Sequence, residues 1–463
     1  MKTAHGLFLA ALIGFGLTTL SPQSLLADPV EPTGEKKKLI ELGRTLFMEE
    51  TFEGNGRTCA SCHRAEHNFT IDPAFIATLP DDDPLFVAEF NPDLAELENP
   101  KLLRKFGLIL ENLEGFDRRP VMRGVPHTLG LPTSMKVKPG HLTPPDAKAD
   151  RLQGVGWSGD GATLPGGLRD VALEAVPQHF TKTLNREPGV DFRVPTEREL
   201  DALEAFQLSL GRQKEIDLAA MMFTDPLVEE GKRLFNDGTN RACAECHTNA
   251  GANDIDGFNR NFDTGIALLS GLPAPGDGGF GIGPERTHSD FPGVNFSGDG
   301  TWNVPSLIEA ADTGPFFHNN AFEKLEEAIG FYTTKTFANS PEGQAGGGAF
   351  ELGDDQIVAI GAMLRTLNAM ENIRNSNEIS ETAHRLVPRL AREEIKLLIA
   401  DTEDAIQVLA DGPQKLYPDS LAALKRALKL EREALRTGPP ELRNDLLHQA
   451  RALKEDARKI MVE

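Results

Sequence analysis

The sequence predicts a mainly α protein: two tandem domains of related build, followed by a C-terminal helical extension. Three observations predict it. Apolar residues recur at helical spacing through most of the chain, a set of motifs occurs twice in one order, and the last part carries three leucine-rich stripes separated by Gly-Pro stops. At 463 residues the chain is long enough for two or three domains with cores of their own.

The N-terminus has the order of a secretory signal. Lys2 precedes an apolar run from Leu7 to Leu20, and SPQSLLA ends in the small residue Ala27. Cleavage near Ala27 and export to a bacterial periplasm are expected. Gly14, Gly16, Thr18 and Thr19 break the run, which is too short for a membrane span. No later segment is long and apolar enough either, so the expected mature protein has no membrane span.

From 28 to 215 runs the first domain. Gly43-Arg44-Thr45-Leu46-Phe47 precedes Cys59-x-x-Cys62-His63, then come Val125-Pro126 with Leu129, the loop GWSGDG and a helix from Leu168. Thr196-x-x-Glu199 is a capping box that opens the closing helix, LDALEAFQLSLGR. Residues 74–122 read as an insertion. The second domain, 216–375, repeats the order: Gly231-Lys232-Arg233-Leu234-Phe235, Cys243-x-x-Cys246-His247, Val304-Pro305 with Leu307, the loop PFFHNN, a helix from Leu325 and a closing helix after Asp354-Asp355. The joint lies near Gly211-Arg212. Gly271–Pro292 and Gly346–Gly348 read as loops of this unit.

From 376 to 463 the extension carries Ile395, Leu398, Ala405, Ile406 and Leu409; then Leu421, Leu424, Leu428 and Leu435; then Leu442, Leu446, Leu453, Ala457 and Ile460. This spacing predicts a helical bundle or hairpin packed on the body, or alternatively a docking arm for another protein.

Bulk composition excludes little but is useful. A formal charge of −22 argues against nucleic-acid binding, since a phosphate backbone selects for Lys and Arg. It suits a partner with a basic patch.

All four cysteines lie in the two Cys-x-x-Cys-His runs. Two thiols at this spacing can each add to one vinyl group of a haem, while the next residue's imidazole reaches the iron; the pattern is a c-type haem attachment signature. A redox disulfide would need no histidine after the second cysteine. One Cys₄ zinc site would bring its knuckles within about 15–20 residues of each other, whereas these pairs begin at 59 and 243. Structural disulfides would close very short loops. Two covalent haems are therefore expected, on Cys59, Cys62 and His63, and on Cys243, Cys246 and His247, with the histidines as iron ligands. Sixth ligands then decide between electron transfer and reaction with peroxide or O₂.

TWNVPSLIEAADTGPFFHNNAFEKLEEAIGFY, with GRTLF and CASCH upstream, resembles the bacterial di-haem cytochrome c peroxidase superfamily, and in particular its MauG branch, over roughly residues 38–370. The resemblance implies two cytochrome c-like domains and a peroxidase-type oxidoreductase. It would react with hydrogen peroxide or O₂ at the first haem and relay electrons through the second. Its partner would be a small redox protein (a cytochrome or a cupredoxin), a periplasmic protein substrate or an organic molecule. Tyr332 stands where the peroxidases place a ligating methionine, which implies a tyrosine-ligated second haem, with Met363 as the other candidate. Trp157 matches the tryptophan between the haems, and His318 a histidine near a propionate. Thr313 and Pro315 match positions that offer backbone oxygens to a bridging calcium, but Gly124 replaces the asparagine that completes that site.

At the first haem the correspondence thins. Phe116 stands where the peroxidases carry a distal histidine, and Val171 and Thr181 stand at their Gln/Glu positions. Glu174, Gln178 and His179 lie nearby; Glu174 or His179 would serve as proton-transferring base, or His179 as an iron ligand. His67, His127 and His141 are further candidates. Two alternatives remain beside the peroxidase: an electron-transfer cytochrome with both irons six-coordinate, and a haem oxygenase acting on an organic substrate.

Overall fold

Gly43 and Gly231 occupy the same place in the two repeated motifs, and both are where two helices touch. A Cβ on Gly43 would collide with the carbonyl of Ala202, and one on Gly231 with the carbonyl of Ala359. Each half is thus built on one close crossing between an opening and a closing helix: Gly34–Glu49 on Glu197–Gln207, and Pro226–Asn236 on Asp354–Ala383. Glycine lets the backbones meet at this distance. Leu46 and Phe47 in the first half, and Leu234 and Phe235 in the second, are buried beside these crossings.

These features come from a computed structural model that describes residues 34–111, 121–135, 155–158, 167–238, 242–269, 271–273, 279, 286–287, 295–296, 298–383, 386 and 388–463. The expected signal at 1–27, Phe116, His141 and most of Gly271–Pro292 lie outside them. The fold is mainly α. Among the described residues the strands form only short antiparallel pairs, such as Leu108–Glu111 with Val121–Gly124 and Asn261–Phe262 with Trp302–Asn303.

A further helix of each half packs on the closing helix, Leu168–His179 on the first and Leu325–Phe331 on the second. Thr196 and Glu199 make both hydrogen bonds of the capping box. Asp225 caps Pro226–Asn236 by accepting from the Leu227 amide. The segment read as an insertion contributes a helix at Pro100–Phe106, capped by Asn99, and a small core around Ile76, Phe86 and Leu103 against which Cys62 packs.

The joint at Gly211-Arg212 is locked. Arg212 is buried, ion-paired to Glu309, and donates to Thr133 Oγ1 (3.0 Å) and Ser306 Oγ (3.1 Å). Ion pairs are tolerated in an interior when hydrogen bonds satisfy both charges in this way.

Asp354–Ala383 runs unbroken across position 376, where the sequence changes character, so the closing helix is also the first helix of the extension. The three apolar stripes are helices Pro388–Ala410, Pro418–Arg436 and Pro440–Met461. With Asp354–Ala383 they form a ring in which each helix packs on two others. Its interior holds a fully buried Lys454–Glu431 pair at 2.7 Å, with Lys454 also donating to Ser376. The chain end is stitched to the second half by Thr224 N–H to Met461 O (3.1 Å) and Glu463 N–H to Met222 O (3.0 Å). Arg44 with Glu394 (2.6 Å) and Asn68 with Asp404 (3.2 Å) tie the extension to the first half. No helix among the described residues is long and apolar enough to cross a membrane.

Candidate functional site

In both motifs a single 3₁₀ turn places the two sulfurs and the imidazole on one face. At the first, the Cys62 and His63 amides donate to the Cys59 carbonyl (3.2 and 2.9 Å), and the Thr58 amide donates to Ser61 Oγ (2.9 Å). At the second, Cys246 and His247 donate to the Cys243 carbonyl (3.3 and 3.0 Å). The i, i+3, i+4 spacing does this wherever the chain winds helically.

The imidazoles are fixed alike. His63 Nδ1 lies 2.9 Å from the Phe69 carbonyl, and His247 Nδ1 3.2 Å from the Gly251 carbonyl. A carbonyl only accepts, so in both rings Nδ1 carries the proton and Nε2 keeps its lone pair. This is the outer hydrogen bond that orients a metal-ligating histidine. Burial lowers the pKa of both, to about 4 for His247, so both rings are neutral at pH 7.

None of the four cysteines is in a disulfide. Burial raises Cys59 to about 12 and Cys62 to about 11. These are protonated thiols, unlike the low-pKa thiolates of redox sites. Among the described residues, no cluster of three or more His, Cys, Asp or Glu side chains is arranged to hold a bare metal ion. The donor sets fit two tethered haems.

The second site opens onto a cavity with a mostly apolar lining. Cys243, Cys246 and His247 line it, and so do Tyr332, Trp157 and His318. Tyr332 follows the Leu325–Phe331 helix, its ring held edge-on by Phe331, Phe337 and Phe350 at 5.0–6.0 Å. Met363 does not line the cavity; it is fully buried in the adjacent core.

Trp157 Nε1 donates to the Gly124 carbonyl (2.8 Å), and the Gly124 amide donates to the His318 carbonyl (2.7 Å). The tryptophan and histidine singled out in the sequence are therefore joined through one residue. That residue is the glycine at the expected calcium site. A Cβ on Gly124 would strike the Asn320 carboxamide, which donates to the Phe106 carbonyl at 2.7 Å. The place that Gly124 leaves open is thus filled by the Asn320 side chain.

At the first site Phe47 lies 5.9 Å from the His63 ring, and Cys59 packs on the core of Phe47, Phe52 and Phe180. His179 ends the Leu168–His179 helix with its Nδ1 buried and without a hydrogen-bond partner among the described residues. Burial, then the charges of Arg57, Arg186 and His63, lower its pKa to about 3. Glu174 lies on the same helix, five residues earlier; at 100° per residue the two are about 140° apart around it. Gln178 is buried with its Nε2 lacking a partner.

His67 is engaged by Asp72 (3.1 Å) and stacks on Phe75. His127 is partly buried and accepts from the Leu129 amide through Nδ1 (3.3 Å); desolvation lowers its pKa, against the charge of Glu309. Gly347 and Gly348 form a positive-φ loop after Pro341–Ala345.

Two residues escaped the sequence reading. Arg57, two positions before Cys59, is fully buried; it pairs with Glu98 (2.8 Å) and donates to the Pro84 and Leu85 carbonyls. Trp302 lines the second cavity and stacks on His318, ring centroids 3.4 Å apart and planes 11° apart. Its one signal in the sequence was rarity, since the chain has two tryptophans. No protein-family model and no curated protein matches the chain.

Proposed function

We propose that this chain is an exported di-haem c-type oxidoreductase of the kind its motifs resemble, the cytochrome c peroxidase and MauG superfamily. It would be two cytochrome c-like domains closed by a helical bundle. One observation carries the reading: two Cys-x-x-Cys-His turns, each with its imidazole Nδ1 on a backbone carbonyl and a neutral Nε2 left to bind iron.

Bound porphyrin iron would supply one-electron redox chemistry at each site and, where an axial face is open, a place for peroxide or O₂ to react. The chain's residues do the rest. Each cysteine thiol would hold the haem as a thioether, its sulfur bonding one vinyl carbon and its proton passing to the neighbouring carbon. Tyr332, on the same cavity as His247, would be the other protein donor to iron held there; a phenolate is harder than a thioether and would favour the ferric state. Trp157 and His318 occupy the cavity wall toward the first half, where an indole serves as a stepping stone for electrons.

At the first site His179 takes the distal role in preference to Glu174. A neutral imidazole can accept a proton from peroxide and return it to the leaving oxygen. The same observation favours a second reading: a neutral, buried histidine with an unpartnered ring nitrogen is also a good iron ligand, and would make the protein an electron-transfer cytochrome. The oxygenase alternative rested on Phe116 alone, outside the described residues. The electron partner would be a small periplasmic redox protein with a basic patch, complementing a charge of −22.

Adding hydrogen peroxide to the purified diferric protein tests the proposal. Peroxide consumption with a spectral change at one haem is expected. No consumption, with low-spin EPR signals only and no cyanide binding, would favour the carrier.

A further inference from the structure

Trp302 has a polar atom that nothing among the described residues uses. The residue is 7% exposed, and its Nε1 is buried with no hydrogen-bond partner among the described residues. A buried indole N–H normally finds an acceptor, and leaving one unmade costs free energy. Trp302 is also on the wall of the cavity beside His247 and Tyr332. Its backbone is held in place: Phe262 pairs with Trp302 across the two strands, and the Asn303 amide donates to the Trp157 carbonyl at 2.8 Å. Its ring is held by the His318 stack, and the Arg123 guanidinium lies 5.6 Å from its centroid. Arg123 is itself fixed by Glu111 (3.1 Å) and Ser158 (3.0 Å).

A rigid donor on a mostly apolar wall, with a fixed cation near its ring, suits an anionic acceptor carried by the cavity's occupant. A porphyrin tethered through its vinyl groups presents two carboxylates on its opposite edge. We infer that Trp302 is a positioning residue of the second site, donating its indole N–H to a propionate carboxylate of the haem held by Cys243 and Cys246. This rests on the di-haem reading and adds to it a residue and an atom.

The donor stabilises the carboxylate's negative charge and so reduces its pull toward ferric iron. In Trp302→Phe the ring and its stack on His318 persist while the N–H is lost. The midpoint potential of the second haem should fall, its propionate bending band in the resonance Raman spectrum should move, and the first haem should keep its potential. Both haems present with neither quantity changed would overturn the inference. An unaltered protein without covalent haem would instead overturn the di-haem reading, so the two failures are distinguishable. Should Trp302→Phe fail to fold, Trp157→Phe leaves Trp302 as the one indole in the chain. Its ultraviolet resonance Raman marker band should then report a hydrogen-bonded N–H, and a band typical of a free N–H would equally overturn the inference.

Discussion

Gly231 lies against Ala359 so closely that a single methyl group on it would enter the Ala359 carbonyl, and Gly43 lies against Ala202 in the same way. In an exposed helix, Gly→Ala stabilises by about 1 kcal/mol. Here the sign should reverse. Gly43→Ala and Gly231→Ala should each cost about 1–3 kcal/mol through overpacking. Denaturant unfolding checks this, and a gain in stability from either would contradict the crossings.

Arg57 and Glu98 form an ion pair whose side chains are 0% and 1% exposed. Burial outweighs the arginine's charge and raises the Glu98 pKa, so the carboxyl depends on its partners. Arg57→Met should cost about 3–5 kcal/mol, and Arg57→Met with Glu98→Met should recover much of it. Chemical denaturation of the single and double variants is the measurement.

Asp404 gives the contact between the extension and the body a pH dependence. It faces Asn68 and His67 from the first half and Asp312 from the second, with Asp401 and Glu403 on its own helix and Lys454 beyond Asp401. Burial raises its pKa to about 6, against about 3.9 in an unfolded chain. The folded state thus binds the proton more tightly. The stabilisation is complete below about pH 4 and is lost as pH rises through about 6. Between about pH 4 and 7 the melting temperature should fall, and Asp404→Asn should flatten that slope. An unchanged slope would remove Asp404 as its source.

Tyr332→Phe should leave both thioether attachments and alter the spectrum of only one haem. Low-temperature EPR should show the low-spin species of the second site replaced and the other species unchanged. If no EPR species changed, Tyr332 would be a wall residue and nothing more.

How much of this was legible beforehand depended on how local each feature is. The Cys-x-x-Cys-His turns, the Thr196 box and the two glycine motifs are written in a few adjacent residues, and the fold forms each as a local unit. The tail's stripes announced helices, because core-facing leucines repeat at a fixed period. Trp302 on His318, Arg212 on Glu309 and Lys454 on Glu431 were not legible: each joins residues whose nearness is decided by packing. Asn320 shows the limit best. The sequence indicated what Gly124 lacks, and only the fold reveals that a side chain from another loop fills the space.

The mass of the intact, purified, exported polypeptide tests the central claim most directly. The account predicts a chain heavier by two haem groups, with one lost on replacing Cys59 and Cys62 and the other on replacing Cys243 and Cys246. A chain at the mass of its amino acids alone would contradict it.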